Sequence, residues 1–322
     1  GCDMDVYFYE AFEEEARLIG DLLRGKLLFD LTDKTIQESG HVIPPAKLIS
    51  VRTQSIIPVD WQDKLDGILS RTTGFDNLKA YKKAVKRPPA LGYLEEYATR
   101  AVAEQAILLM LALLRRLPQQ IQQFKHFQRD GLTGLEALGK NLLVVGVGRI
   151  GGEIVKIGQG LGLNVKGVDI VRRHNFVSYV ERDDGLSWAD IIICAMNLTD
   201  ENFHYFSYDL LKKARPGIIF INIARGEHAP LYDLFRLVQE GHLGGLALDV
   251  FEDEPTIATA LRTDQARQSE KARILIDLLA YPNVILTPHN AFNTAQALER
   301  KVRFSLGEIF YFLEHRQFRQ QI

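Results

Sequence analysis

Residues 141–162 read NLLVVGVGRIGGEIVKIGQGLG. An unbroken apolar run, NLLVV, meets a cluster of glycines, and the helical segment EIVKIGQGL follows. Gly146, Gly148 and Gly151 stand in GxGxxG spacing. Between a strand and a helix each has a task. Gly146 permits the tight turn, Gly148 lets a pyrophosphate approach the backbone, and Gly151 lets the helix pack on the strand. The free N–H groups and positive dipole end of the helix favour phosphate at that point. The stretch reads as the opening of a dinucleotide-binding fold.

Downstream, NVKGVDI carries Asp169, 18 residues beyond Gly151. The acid that binds the ribose hydroxyls of a dinucleotide stands about 20 residues on. A carboxylate there accepts hydrogen bonds from a diol and repels a 2′-phosphate, which favours NAD over NADP. Arg172 and Arg173 pull the other way, since either can reach a phosphate. DIIICAM, GIIFINIA, GGLALDV and NVILTPH complete a series of six apolar runs with NLLVVGVG and NVKGVDI. Each ends in polar or glycine residues, and helical segments lie between most of them, the layout of a doubly wound parallel sheet.

Upstream, DVYFYE, KLLFDL, KLISVRT and LDGILSR read as strands. AFEEEARLIGDLL has helical periodicity, with Phe12, Ala16, Ile19 and Leu23 on one face. Strands alternating with helices imply a second parallel sheet covered on both sides. EEYATRAVAEQAILLMLALLRRL predicts one long helix ending at Pro118. It is either buried in its own subunit or shared with a second subunit or domain. TAQALERKVRFSLGEIFYFLEHRQF predicts a last helix that returns to the first domain. The expected architecture is α/β with two domains, residues 99–295 forming the dinucleotide-binding one and residues 1–98 with 296–322 the other. Between Pro255 and Pro282 lies a polar, helical stretch longer than a connection needs, read as a surface insertion or a lid.

The 322 residues suit two domains or one large one, and at 46% hydrophobic and 25% charged they are those of a globular protein. A net charge of −2 and the lack of a long basic run argue against a nucleic-acid partner. The basic YKKAVKRPP is short and reads as a solvated helix end. AILLMLALL is too short to span a bilayer, so no membrane partner is expected. Cys2 and Cys194 are the two cysteines; Cys194, inside DIIICAM, suits a core thiol in a reducing cytosol, and a cytoplasmic location is expected. No metal site is read.

Three strand ends carry chemistry. In an open parallel sheet, ligands bind beyond the carboxyl ends of the strands. GIIFINIA ends in Arg225, GGLALDV ends in Asp249 and continues to Glu254, and NVILTP ends in His289. Oxidising a hydroxy acid needs a base for the hydroxyl proton while hydride leaves, and histidine titrates near neutrality. A carboxylate beside it favours the imidazolium and fixes the ring, a role open to Glu254. Arginine grips a carboxylate at two points and stays charged, a role open to Arg225.

GVGRIG with Asp169, NIARG with Arg225, LDVFEDEP with Asp249 and Glu254, and TPHNAF with His289 resemble the D-isomer-specific 2-hydroxyacid dehydrogenase family, in character its D-lactate dehydrogenase-like members. The resemblance covers nearly the whole chain. It implies a Rossmann NAD-binding domain and a flavodoxin-like substrate domain with a cleft between them, in a homodimer built around the long helix. It implies His289 as acid and base, Glu254 as its partner and Arg225 as the carboxylate clamp, with Asp249 at the position that holds the nicotinamide carboxamide. Gly146, Gly148, Arg149, Ile150, Gly151, Asp169, Met196, Asn197, Asn202, Ile223 and Ala224 are implied cofactor contacts. SRTTGFDN resembles the loop whose backbone amides hold the substrate carboxylate, here Arg71, Thr72, Thr73 and Gly74. The same letters also read as a strand-to-helix turn with Asp76 or Asn77 as N-cap. Tyr97 and Phe292 resemble two aromatics near the substrate of lactate-type members, and either serves equally as core.

The chain departs from the family pattern at Asn197, where proline is usual, in EHAPLYDL, which brings His228 near the cleft as an expected non-catalytic residue, and in the stretch between Pro255 and Pro282. The expected activity is reversible hydride transfer between NADH and a 2-oxo acid, with pyruvate and D-lactate leading. Glyoxylate, hydroxypyruvate or bulkier 2-oxo acids follow, as does a phosphorylated hydroxy acid if Lys82, Lys83, Lys86 and Arg87 face the cleft. The rival of another class is an NAD-binding redox-sensing regulator.

Overall fold

The structure is a computed structural model and describes residues 4–322; Gly1 and Cys2 lie outside the described residues. The chain divides into two compact units, Gly1–Ala98 with Asn293–Ile322, and Thr99–Phe292.

The first unit runs β1 (Val6–Phe8), α1 (Glu13–Leu23), β2 (Phe29–Leu31), α2 (Ile36–Ser39), β3 (Leu48–Val51), β4 (Gly67–Ser70), α3 (Asp76–Ala84) and β5 (Ala90–Gly92). Its sheet has the order β2-β1-β3-β4-β5, and every pair is parallel. That is the flavodoxin-like order, with its switch point between β1 and β3. β5 was not among the predicted strands: it is three residues long and directly follows two prolines, so it carries no periodic signal. The face of α1 also differs from the prediction. Phe12 precedes the helix and is exposed, and Glu15 takes a buried place with Ile19 and Leu23. The C-terminal helix, Ala295–His315, belongs to this unit, as expected. It lies so close to β4 that a Cβ at Gly67 would stand 2.6 Å from the Phe312 ring.

The second unit opens with α4 (Thr99–Leu114) and α5 (Leu117–Gln123). Pro118 is not a stop. Arg116 turns into the left-handed region at φ 54°, and Pro118 then sits in the first turn of α5, where its missing N–H costs nothing. There follow β6 (Asn141–Val145), α6 (Arg149–Gly160), β7 (Asn164–Val168), α7 (Arg182–Trp188), β8 (Ile191–Cys194), α8 (Tyr208–Lys212), β9 (Ile218–Asn222), α9 (Leu231–Gln239), β10 (Leu243–Leu248), α10 (Glu254–Arg262), α11 (Glu270–Leu278) and β11 (Val284–Leu286). The sheet is parallel in the order β11-β10-β9-β8-β6-β7. A single parallel bridge between Gly167 and Tyr179 extends it beyond β7.

The central strands β6, β8 and β9 are buried on both faces, which is why they read as continuous apolar runs. Leu142 and Val144 of β6 face a core shared with α4 and α6, while Leu143 and Val145 face one shared with α7, α8, α9 and α11. α4 therefore covers its own unit's sheet. The stretch after Pro255 is the crossover from β10 to β11. Ile257, Ala272, Leu275 and Leu278 are buried, so α10 and α11 form part of the covering layer and are not a detached lid.

Candidate active site

The carboxyl ends of the second unit's strands carry the residues singled out above. Between β6 and α6, Gly146 has φ 89°, and a Cβ there would stand 2.6 Å from the Met196 backbone. At Gly151 a Cβ would lie 2.1 Å from the Gly146 carbonyl oxygen. Gly148 differs: nothing lies within 4 Å of its would-be Cβ. The backbone is thus bare and open at the N-terminus of α6, a cradle that fits a pyrophosphate. Arg149 is exposed at the first position of α6, and Ile150 packs against the α4 side of the core.

Asp169 closes this loop. Its Oδ2 accepts from the Val147 amide at 2.7 Å and its Oδ1 from the Val171 amide at 3.1 Å. Each carboxylate oxygen can accept two hydrogen bonds, so lone pairs remain for a diol. Arg172 pairs with Glu181 at 3.2 Å and lies over the Tyr179 ring.

After β8, Asn202 ties a loop together. Its Oδ1 accepts from the Thr199 amide at 2.8 Å, and its Nδ2 donates to the Asn197 carbonyl at 2.6 Å. Hydrogen bonds therefore order the segment in which proline was expected. The Asn197 carbonyl also meets His228 Nε2 at 3.3 Å, and Nδ1 of the same ring meets Cys194 Sγ at 3.6 Å. Burial pushes the Cys194 thiol up to about 12, so it is a neutral core group. His228 is a fully buried tie between two strand ends.

After β9, Ile223 and Ala224 are buried, and Asn222 sets the turn that carries Arg225. Asn222 Oδ1 accepts from the Ala224 amide at 3.0 Å, and Nδ2 donates to the Arg225 carbonyl at 2.8 Å. Gly226 was not singled out from the sequence, yet a Cβ there would stand 1.8 Å from the Phe251 carbonyl carbon. The Arg225 turn thus packs backbone against backbone on the FEDEP segment. The signal that was available is the glycine immediately after the arginine.

His289 Nδ1 meets Glu254 Oε2 at 2.6 Å. Glu254 is the first residue of α10 and His289 the third residue after β11. His289 has φ 48°, which is uncommon for a residue with a Cβ. The turn is held by Asp249, whose Oδ1 accepts from Thr287 Oγ1 at 2.7 Å and the Asn290 amide at 2.8 Å, and whose Oδ2 accepts from the Ala291 amide at 2.9 Å. Burial raises the Asp249 carboxyl, and the His289 charge and these donors oppose the rise. Asp249, implied by the resemblance as a holder of the nicotinamide carboxamide, thus takes three donors from this turn. The side chain is fully buried, and its observed task is to hold the histidine turn. Phe292 stands edge-on to His289, with ring centroids 6.5 Å apart.

In the first unit, the turn after β4 carries the other predicted contacts. Arg71 needs correction. Its amide donates to the Val51 carbonyl, and its guanidinium, 0% exposed, is enclosed by Glu15, Ser50 and the Tyr9 carbonyl. Among the described residues no group accepts from the amides of Thr72, Thr73 and Gly74. Thr72 Oγ1 bonds Ser70 Oγ at 2.6 Å and the Gly74 carbonyl, which bends the turn. Tyr97 is buried, with its hydroxyl 3.5 Å from the Arg71 carbonyl. Neither Asp76 nor Asn77 caps α3. Phe75 is the N-cap, and Asn77 Nδ2 donates to the carbonyls of Arg52 and Ser55. Because β4 and β5 are parallel, α3 runs back along the sheet and delivers Lys82, Lys83, Lys86 and Arg87 to the amino ends of the strands, the wrong edge for a ligand.

The profile of the D-isomer specific 2-hydroxyacid dehydrogenase NAD binding domain matches residues 107–291. A D-lactate dehydrogenase of Staphylococcus epidermidis is 29% identical over 246 residues, 74% of this chain and 73% of that enzyme. An aromatic 2-oxoacid reductase of Clostridium sporogenes is 30% identical over 250 residues, with 74% and 73% covered. The crystal structure of a D-lactate dehydrogenase from Aquifex aeolicus, complexed with NAD and lactic acid, superposes with a TM-score of 0.82 at 27% identity, covering 96% of this chain and 95% of that one.

Proposed function

The chain belongs to the family of D-isomer specific 2-hydroxyacid dehydrogenases, NAD-dependent oxidoreductases acting on a CH–OH group, and from this premise we propose that it interconverts a 2-oxo acid and the D-2-hydroxy acid, with pyruvate and D-lactate favoured. The observation that carries the reading is the 2.6 Å link between His289 Nδ1 and Glu254 Oε2. It turns Nδ1 toward the carboxylate and leaves Nε2 as the proton-transferring atom. The dinucleotide, when bound along the Gly146–Gly151 turn, supplies the hydride. His289 Nε2 gives its proton to the carbonyl oxygen of the 2-oxo acid as that oxygen gains charge, and takes it back in the reverse direction. Arg225 binds the substrate carboxylate. In the first unit, the amides of Thr72, Thr73 and Gly74 suit a carboxylate. Asp169 selects NAD over NADP, a reading supported by the pairing of Arg172 with Glu181.

The D-lactate dehydrogenase and the aromatic 2-oxoacid reductase match the chain about equally well, so the breadth of the substrate is the open axis. The buried Cys194 thiol suits a reducing, cytoplasmic setting, and among the described residues no helix is long and apolar enough to cross a membrane. We propose a homodimer, on the surface argued in the Discussion. The test is NADH oxidation against a panel of 2-oxo acids, aliphatic and aromatic, with NADPH in parallel. Turnover on pyruvate that exceeds that on phenylpyruvate, and that is lost in His289→Ala while NADH still binds, is expected. NADH binding without turnover on any acid would move the reading to a redox-sensing regulator, and full activity in His289→Ala would remove the histidine from the mechanism.

A further inference from the structure

The first unit buries a charge cluster that the reaction does not use directly. Glu15 on α1 lies between two cations: Arg71 Nε meets its Oε1 at 2.5 Å, and Lys301 Nζ on the C-terminal helix meets its Oε2 at 2.8 Å. Arg71 and Lys301 are 0% exposed. Arg52, also buried, faces the same cluster after β3. Nearby Glu10 spends its carboxylate on the amides of Arg52 and Gln54. Two cations on one carboxylate, with a third close by, is a costly arrangement for an interior, and an apolar core would hold three elements together at least as well. Its position in the fold explains it better than stability does.

Arg71 begins the turn whose next three amides have no acceptor among the described residues. Every polar part of Arg71 is held. Its amide donates to Val51, its Nη1 to Ser50 Oγ at 2.9 Å, its Nη2 to the Tyr9 carbonyl at 2.6 Å, and its carbonyl faces the Tyr97 hydroxyl. The C-terminal helix reaches this residue by two routes. Lys301 holds Glu15, which holds the guanidinium. The adjacent Arg300 donates through Nε to the Tyr97 carbonyl at 2.8 Å, and Tyr97 in turn reaches the Arg71 carbonyl. The links close a ring from Arg71 through Glu15, Lys301, Arg300 and Tyr97 back to Arg71.

We infer that Lys301, acting through Glu15, is a positioning residue that fixes Arg71 and thereby aims the amides of Thr72, Thr73 and Gly74 at the carboxylate of the 2-oxo acid. This deepens the proposed function and rests on its reading of that turn as the anion-binding one. Lys301 touches neither substrate nor cofactor. Its ammonium keeps both oxygens of Glu15 engaged, so the carboxylate cannot rotate away from Arg71 and let the turn relax. Three preset amides bind an anion without reorganising when it arrives, so loosening them weakens substrate binding more than it slows chemistry already in progress.

The experiment is steady-state kinetics on Lys301→Met and Lys301→Gln. Methionine keeps the bulk and leaves a neutral Glu15–Arg71 pair; glutamine still donates to Glu15. Lys301→Met is expected to raise the KM for the 2-oxo acid about tenfold, with kcat and the KM for NADH little changed. Lys301→Gln is expected to raise the same KM by a smaller factor, about threefold, and that rise carries the test if the methionine variant does not fold. Folded variants with an unchanged KM for the 2-oxo acid would overturn the inference. So would an equal loss of kcat and of affinity for both ligands, which marks general loosening. Thr73→Pro, which removes one of the amides, separates the two ideas. If it leaves that KM unchanged, the turn is not the carboxylate site and the underlying reading fails. If it raises KM while the Lys301 variants do not, only the positioning role fails.

Discussion

At the scale of single residues, the site depends on a histidine held where a residue with a Cβ rarely stands. His289 at φ 48° is kept there by the three donors that Asp249 collects from Thr287, Asn290 and Ala291. In Asp249→Asn one of the two oxygens becomes an amide nitrogen, which faces a donor with a donor. A buried unsatisfied donor costs about 1–3 kcal/mol, enough to let the turn leave its strained position. We expect kcat to fall about ten- to hundredfold while NADH binding, followed by fluorescence, changes little. An unchanged kcat would show that the turn holds itself. His289, Glu254 and Arg225 could be located from sequence because each follows a run that reads as a strand, and strand ends of one parallel sheet share an edge. Arg71 was misread for a physical reason. It stands beside motif residues, and nothing local in SRTTGFDN says that the charged group turns inward to meet partners from distant segments.

At the scale of elements, the C-terminal helix and α1 are joined by a lysine whose charge is unwelcome in the interior. Burial pushes the Lys301 ammonium down to about 7; Glu15 resists that shift, while Arg52 and Arg71 add to it. Burial alone would raise the Glu15 carboxyl, but Arg71, Lys301 and Arg52 hold it down at about 2. The two have opposite consequences for stability. An unfolded lysine keeps its proton to about pH 10.4, so between that value and about 7 the unfolded chain binds more protons, and stability rises with pH. Below about 7 Lys301 is charged in both states, and its full burial cost remains. Glu15 stabilises above the ordinary carboxylate range, and that stability is lost as pH falls toward about 2. Melting temperatures of the wild type and Lys301→Met, compared from pH 6 to 10, should therefore differ most at the acid end and converge as pH rises. Parallel profiles would show that Lys301 does not titrate in this window. The elements themselves were legible where apolar runs are long and buried on both faces, as in β6, β8 and β9. They were illegible where three residues make a strand, as in β5, and where a left-handed Arg116 restarts a helix at Pro118.

At the scale of the whole molecule, one segment is folded without a core of its own. From Leu117 to Phe127 no residue is buried, and Ile121, Phe124 and Phe127 project from the segment. Phe124 and Phe127 are 73% and 74% exposed, and Leu135 and Leu138 add to the same segment. The segment returns onto α4 through the Leu135 amide and the Leu114 carbonyl, at a point where a Cβ on Gly134 would stand 2.4 Å from that carbonyl oxygen. It is therefore anchored at both ends, while its apolar side chains face water in a single chain. Exposed apolar side chains on an ordered arm are what an interface presents before it is covered. Sequence left open whether α4 itself is shared between subunits. The more apolar stretch is α4, which packs on its own unit's sheet, while the arm after it is rich in glutamine. A second copy of this chain covering the arm would bury both phenylalanines. Removing two such side chains costs about 3 kcal/mol or more, about a hundredfold or more in the dissociation constant. Light scattering should find the wild type as two chains, and Phe124→Ser with Phe127→Ser as one chain at micromolar concentration. A wild type that stays a single chain at every concentration would assign the arm to some other partner. A double variant that remains paired would move the interface elsewhere.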